Sequence, residues 1–480
     1  MARAGVVGAI MTCLALLSGC ATSDVGPINV ATSEAPPPTP RFIPDSGDDG
    51  STVVALSFSG GGMRASAFSY GVLTALDDIV VDEQPYRRSM VDNIRMLSGV
   101  SGGSVVAAYF GYKGRDAYRD LDRRFLHQDP ESAMRTNMHS PVTLLRAING
   151  GVNDRASFAR WIDRNLFDGK DFSSFKWPNA PTVWINASDI FNRTPFVFDN
   201  DTFAALCSDL DKLPISDAVA ASAAFPVVFS PVVLQTKRSR CRYEQPAWLT
   251  GALATPEHSI RLQAYARALD TYYHDRDLNY VRLLDGGLTD NLGITGFVLE
   301  RAAADTPHGP LSAEEAVRLR HFVFVVVDAG RGQTKSWGRD MANLPISELL
   351  QAATDTSMSA ALRDEIDSLR QAVSIWKDQL VRFRCGLSPE RVRRIRGTTA
   401  GWNCRDLDAV VEHLSFADLD AETTRRLNEI PTRLTLPRAQ VDSLVAAGRR
   451  VVADNPRLTR IVADVRRRAG VPHTQLVGSN

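Results

Sequence analysis

The chain has 480 residues, enough for one large domain or two to three ordinary ones. With 44% hydrophobic and 23% charged residues it can fill a substantial core, which excludes a disordered chain. Lys+Arg and Asp+Glu number 55 each, so no charge excess points to nucleic acid as a partner or to an acidic solvating tail. The nearest basic patch, Arg460 to Arg468, reads as the solvated face of a helix.

In chain order, MARAGVVGAIMTCLALLSGC comes first. Arg3 supplies a positive start, and Ala4 to Leu17 is an apolar run too short for a spanning helix, which needs about 20 residues. Leu17-Ser18-Gly19-Cys20 resembles the lipobox of bacterial lipoproteins. That resemblance implies a signal peptide over 1–19, removed before a diacylglyceryl-modified Cys20; an ordinary secretory signal is the alternative. Ala21 favours outer-membrane sorting, so the expected address is a lipid-anchored place in a bacterial cell envelope, on the outer membrane facing the periplasm. Residues 20–50, rich in Pro, Ser, Thr, Gly and Asp, read as a tether between the lipidated cysteine and a folded body. Four further cysteines allow three pairings. Proximity favours Cys207 with Cys241 and Cys385 with Cys404, as suits an oxidising compartment, with free thiols as the alternative. The spacings do not suggest a metal site, and no cofactor is expected.

The body begins at Ser51 with a β-branched strand that runs into Gly60-Gly61-Gly62 and a helix from about Arg64 to Ile79. A second strand, NIRMLSG, ends in Gly99-Val100-Ser101-Gly102-Gly103 before an Ala/Val-rich helix. Further strands are expected at 181–189, 195–199, 280–285 and 321–330, with helical stretches between them such as 291–305. The run HFVFVVVDAG is nearly continuously apolar, as in a strand covered on both faces. This alternation indicates an α/β layer fold with a mostly parallel sheet over 51–335. After about residue 335 strand signals stop, and 336–480 reads as a helical C-terminal extension.

Three strand ends carry the chemistry. Three successive glycines at 60–62 permit backbone conformations closed to other residues and bare the helix-start amides, making an anion cradle. A P-loop is disfavoured because no GK[ST] follows. Ser101 sits on a strand-to-helix elbow of the kind that presents a nucleophile. Asp285 closes a strand ahead of Gly286-Gly287, where a carboxylate points into the crevice at the strand ends. Together they suggest acyl transfer. The base expected after the acid in a histidine triad is missing: His308 lies in a Pro/Gly loop, His321 opens a strand, and His258, His274, His413 and His473 read as surface residues. Asp285 is left as the general base.

SGGGMR, GVSGG and DGG, in that order, resemble the patatin-like phospholipase family and the related cytosolic phospholipases A2. The resemblance covers roughly 51–335 and includes WINASDIFNRTPFVF (184–198) and AVAASAAFPVVFSPV (218–232). It implies a three-layer α/β/α patatin-like fold and a Ser–Asp dyad, with Ser101 as nucleophile and Asp285 as base. The amides of Gly61 and Gly62, in a loop shaped by Gly60, would form the oxyanion hole. Arg64 would hold that loop or help bind an anionic headgroup. Gly99, Gly103 and Gly286 would allow the tight turns, and Asp290 and Asn291 would be structural support. Ser59 and Ala65 depart from the common patatin residues, Asp and Gly, which touches substrate class more than activity. The implied activity is hydrolysis of fatty-acyl esters of membrane phospholipids or other acyl lipids. A carboxylesterase or thioesterase on non-membrane substrates, and a non-catalytic envelope lipoprotein, are the alternatives.

Overall fold

In the computed structural model, residues 26–33, 47–134, 151–226, 228–236, 241–255, 259–332, 341 and 346–469 are described. The signal segment, Cys20, His258 and His473 lie outside them. The β-branched run Thr52–Phe58 forms β1, buried along its whole length, and the glycine turn leads into α1 (Gly62–Asp78). A small hairpin of β2 (Val80–Asp82) and β3 (Arg88–Ser89) precedes β4 (Ile94–Val100), which feeds α2 (Gly102–Ala117). Then come β5 (Thr182–Asp189), β6 (Thr194–Val197), α3 (Ile215–Ser222), β7 (Val232–Gln235) and β8 (Tyr280–Asp285). The chain continues through α4 (Thr295–Ala303), β9 (His321–Asp328), α5 (Ile346–Cys385), β10 (Asp408–Ser415), α6 (Arg438–Ala453) and α7 (Pro456–Ala469).

The main sheet is ordered β10-β9-β1-β4-β5-β8-β7, with β6 also paired to β5. From β10 to β5 every neighbour is parallel. β8 runs antiparallel to both β5 and β7. The result is a three-layer α/β/α fold with a mostly parallel sheet. β9 is buried at all eight positions, and Phe322 stacks on Phe297 of α4 and meets Trp376 of α5 edge-on. α1 packs against α6 closely enough that a Cβ on Gly71 would lie 2.2 Å from the Val445 carbonyl, and one on Gly448 2.2 Å from the Phe68 carbonyl.

Three expectations are corrected. The C-terminal region is mainly helical, but it also supplies β10, which pairs along its full length with β9 and so belongs to the same sheet. Residues 26–33 and 47–50 are not a free tether. Asn29 exchanges two 2.8 Å hydrogen bonds with the main chain of Gln235, Ile28 is buried, and Asp48 pairs with Arg88 and Arg95. Finally, the arginines of α7 are partly engaged: Arg466 donates to the Val80 carbonyl, and Arg467 and Arg468 pair with Asp464. Cys207 is bonded to Cys241, and Cys385, at the end of α5, is bonded to Cys404.

Candidate active site

Ser101 occupies the turn between β4 and α2 with φ 50° and ψ −120°, a conformation that L-residues rarely adopt. Its neighbours make this possible. A Cβ on Gly99 would lie 2.6 Å from Ser104 Cα, and one on Gly103 2.5 Å from the Phe58 carbonyl. The Ser101 N–H donates to Ser222 Oγ at 2.8 Å, and Ser222 donates to the Asn186 carbonyl at 2.6 Å. Ser104 Oγ holds the Ser101 carbonyl at 2.6 Å. The elbow is thus tied to α3, to β5 and to its own helix.

Register brings Asp285 to the same level. Val100 pairs with Asn186 on one side of β5, and Ala187 pairs with Asp285 on the other. Asp285 thus closes its strand level with the end of β4, although β8 runs antiparallel to β5. Its N–H donates to the Ala224 carbonyl at 3.0 Å, and its carbonyl accepts from Ser188 Oγ at 2.8 Å. One carboxylate oxygen takes the Gly287 N–H at 2.8 Å. Gly286 admits the Asn186 carbonyl, which a Cβ would meet at 2.4 Å. Burial pushes the Asp285 carboxyl up to about 6, against hydrogen bonds from Gly287 and from the Ser101 side chain that favour the charged form.

Asn186, Ser188 and Ser222 were not singled out from the sequence. Asn186 and Ser188 project from the same face of β5, and all three are buried polar residues in apolar surroundings. That pattern was the available signal. Asn186 also donates to Ser98 Oγ and to the Gly99 carbonyl, so β5 is the beam on which both candidate residues are mounted.

The glycine loop faces the elbow. Gly61 and Gly62 have φ 140° and 60°. The Gly60 N–H is consumed by the Asn291 carbonyl at 3.1 Å, so Gly60 shapes the loop and is not a donor. Among the described residues no hydrogen bond is formed by the amides of Gly61 and Gly62. These two stand at the N-terminus of α1, where the helix dipole adds positive potential. The α1 and α2 starts touch: a Cβ on Gly102 would lie 1.9 Å from the Gly62 carbonyl, and Ser66 Oγ contacts both the Gly62 and Gly102 carbonyls.

Arg64 is buried, with Nε on the Ala329 carbonyl at 2.9 Å and Nη1 on the Ile430 carbonyl at 3.0 Å. These bonds tie the first turn of α1 to the chain after β9 and to the segment before residue 431. Asp290 accepts the Gly293, Ile294 and Thr295 amides, and so organises the turn into α4.

The described histidines bond or pack against residues other than Ser101 and Asp285, and His127 pairs with Asp122 and Asp442. His321 is at the opposite end of β9 and bonds Asp464. His413 is a half-buried residue of β10 bonded to Asp328, not the surface residue expected. Its strand is three positions from β4, about 14 Å at ordinary strand spacing. His274 pairs with Asp270, and His308 packs on Phe383. Among the described residues no group of three or more His, Cys, Asp or Glu could hold a metal ion.

A strained serine elbow, a hydrogen-bonded carboxylate and two bare helix-start amides on a three-layer sheet define the hydroxyl–carboxylate class of α/β proteins. The chain belongs to the patatin-like phospholipase family, whose model matches residues 56–298. Among curated proteins, the uncharacterized protein YqhO of Bacillus subtilis (strain 168) is 25% identical over 184 residues, 37% of this chain and 58% of that protein. Of the solved structures, human GIVD cytosolic phospholipase A2 aligns with TM-score 0.38 and 13% identity, covering 88% of this chain and 63% of that one. VipD from Legionella pneumophila aligns with TM-score 0.31 and 11% identity, over 93% and 72% of the two chains. The chain thus spans less than two thirds of YqhO and of the human enzyme.

Proposed function

We propose that this protein is a serine acyl hydrolase acting on fatty-acyl esters of phospholipids or related lipids, with Ser101 as nucleophile and Asp285 as general base. The observation that carries this reading is the register that sets Asp285, across β5, level with the Ser101 elbow, its carboxyl buried and raised to about 6. A hydroxyl is a poor nucleophile until a positioned base takes its proton. A carboxyl raised toward neutrality is a better match for that task than one at its ordinary value.

Asp285 accepts the Ser101 proton as Oγ attacks the ester carbonyl. Negative charge then develops on the carbonyl oxygen, and the Gly61 and Gly62 amides receive it. On collapse the leaving alcohol or lysolipid takes the proton from Asp285. Water, deprotonated by the same carboxylate, attacks the acyl-enzyme, and Asp285 returns that proton to Ser101 Oγ as the fatty acid leaves. The two amides need no reorganisation as the charge forms, and loss of one such donor costs about 10²–10³ in rate in serine hydrolases.

The export reading belongs to the same proposal: signal peptide 1–19, lipidated Cys20 and an outer-membrane address facing the periplasm. The paired cysteines support it, since disulfides persist in oxidising compartments. A lipid-anchored enzyme would meet membrane lipid at high effective concentration.

The test incubates residues 21–480, beside Ser101→Ala and Asp285→Ala, with phosphatidylethanolamine/phosphatidylglycerol vesicles and chelator, quantifying fatty acid and lysolipid by mass spectrometry. Release by wild type, lost in both variants, is the expected result. Ser101-dependent turnover of a simple ester without lipid release would move the substrate away from membranes. Activity surviving in Ser101→Ala would overturn the assignment.

A further inference from the structure

The family match ends at residue 298, yet the amide-bearing end of α1 is held by a loop far beyond it. Between the helix 421–428 and α6 the chain passes across the start of α1. There the Arg433 carbonyl accepts the Met63 N–H at 2.7 Å. The same peptide lies flat on Gly62: a Cβ there would be 2.5 Å from Arg433 O, 3.1 Å from its carbonyl carbon and 3.3 Å from its nitrogen. A helix start leaves four amides without intrahelical partners. The loop takes one of them and leaves those of Gly61 and Gly62 clear.

The carboxylate that makes most of the bonds to this loop comes from a different segment. Glu131 Oε1 accepts the Leu434 N–H at 2.9 Å and the Thr435 N–H at 3.2 Å, and the Arg433 guanidinium spans both carboxylate oxygens. Thr435 Oγ1 donates to Asp129 at 2.6 Å and accepts the Glu131 N–H at 3.3 Å. Residues 129–131 and 433–435 are thus clasped by main-chain and side-chain bonds, and the clasp ends one residue from the amides.

We propose that Glu131 is a positioning residue for the reaction: by clamping residues 433–435 it sets the direction of the Gly61 and Gly62 amides. The C-terminal region thereby completes the oxyanion hole of the core. This rests on the Ser101–Asp285 reading above. Displacing the Arg433 peptide would let the first turn of α1 shift, and small misplacements of a catalytic group can cost on the order of 100-fold in rate.

The experiment measures p-nitrophenyl butyrate hydrolysis by residues 21–480, with active sites counted by a fluorophosphonate probe. Glu131→Ala is expected to lower kcat per titrated site by about 10–100-fold with KM changed less than about twofold. Inhibition by an alkyl trifluoromethyl ketone, whose adduct carries the oxyanion, should weaken in parallel. Glu131→Gln keeps an acceptor for both amides and should restore turnover to within about threefold of wild type. Thr435→Val, a milder break of the clasp, should lower kcat severalfold and serves if Glu131→Ala does not fold. A melting temperature that falls while kcat per site and ketone affinity stay at wild-type values in the folded variants would overturn the proposal. Ser101→Ala separates the two readings. If it is as active as wild type, the site assignment falls and the positioning role with it; if it is dead while the Glu131 and Thr435 variants are unimpaired, only the positioning role falls.

Discussion

At Asp285, burial and catalysis pull in opposite directions. The apolar surroundings favour the neutral carboxyl, and its folded value of about 6 stands above the 3.8 of an exposed aspartate. The reaction needs the ionised form, so kcat/KM should rise with pH along an acid limb centred near 6 and level off above it. A pH profile checks this, and an acid limb near 4 would mean the carboxylate is solvated in the working enzyme. Stability should move the other way. A carboxyl whose folded value is raised contributes stability fully below about 3.8, and that contribution is lost as pH rises through about 6. Asp285→Asn should therefore be inactive yet melt higher than wild type at pH 8, by on the order of 3 kcal/mol at most, with the gap closing toward pH 4. Paired thermal melts at the two pH values measure it.

Between elements, the tightest junction is the crossing of α1 and α6, where Gly71 and Gly448 let two helix backbones meet. The atoms facing Gly448 are main chain, Phe68 O at 2.2 Å and Val72 N at 2.8 Å from a Cβ, so no side chain can swing aside. Gly448→Ala should cost about 1–3 kcal/mol through overpacking, read as a lower midpoint in urea. The elements at this level were unevenly legible in the sequence. β9 announces itself as a nearly continuous apolar run because both faces are covered, and β1 and β4 by ending in glycine-rich turns. β10 does not: it is an edge strand carrying Asp408, Glu412 and His413, and it sits among helical segments. The candidate-site motifs were visible because glycine, serine and aspartate at strand ends are local chemistry. Ser222 and Asn186 acquire their roles only when α3 and β5 meet the elbow. The 433–435 loop acts through a carbonyl, which every residue possesses, so no side-chain pattern marks it.

Across the molecule, α5 reaches from the Cys385–Cys404 bond to the neighbourhood of the site, where Met358 Cε lies 2.9 Å from a Cβ built on Gly287. Its Glu365 is buried beside Asp290; burial, together with Asp290 and more distantly Asp328, pushes its carboxyl up to about 9, although the Leu292 amide and Arg261 favour the charged form. Among the described residues one of its oxygens has no hydrogen-bond partner. By the same linkage, stability is lost as pH rises from about 4.5 through about 9. Glu365→Gln keeps the acceptor and removes the ionisation, so it should raise the melting temperature at pH 9 and leave it nearly unchanged at pH 5. Equal melting shifts at both pH values would mean that ionisation of Glu365 is not the cause.

The clasp between residues 129–131 and 433–435 also gives the enzyme a schedule. Ser101 and Asp285 are 184 positions apart in the chain, and Met63 and Arg433 are 370 apart. Contacts of such separation form late in folding. A chain still emerging from the ribosome, or one cut short by a protease, can carry an intact serine and carboxylate and yet present its amides in the wrong direction. For the acyl hydrolase proposed above, residues 433–435 then act as a licence, issued only to chains that have closed the clasp.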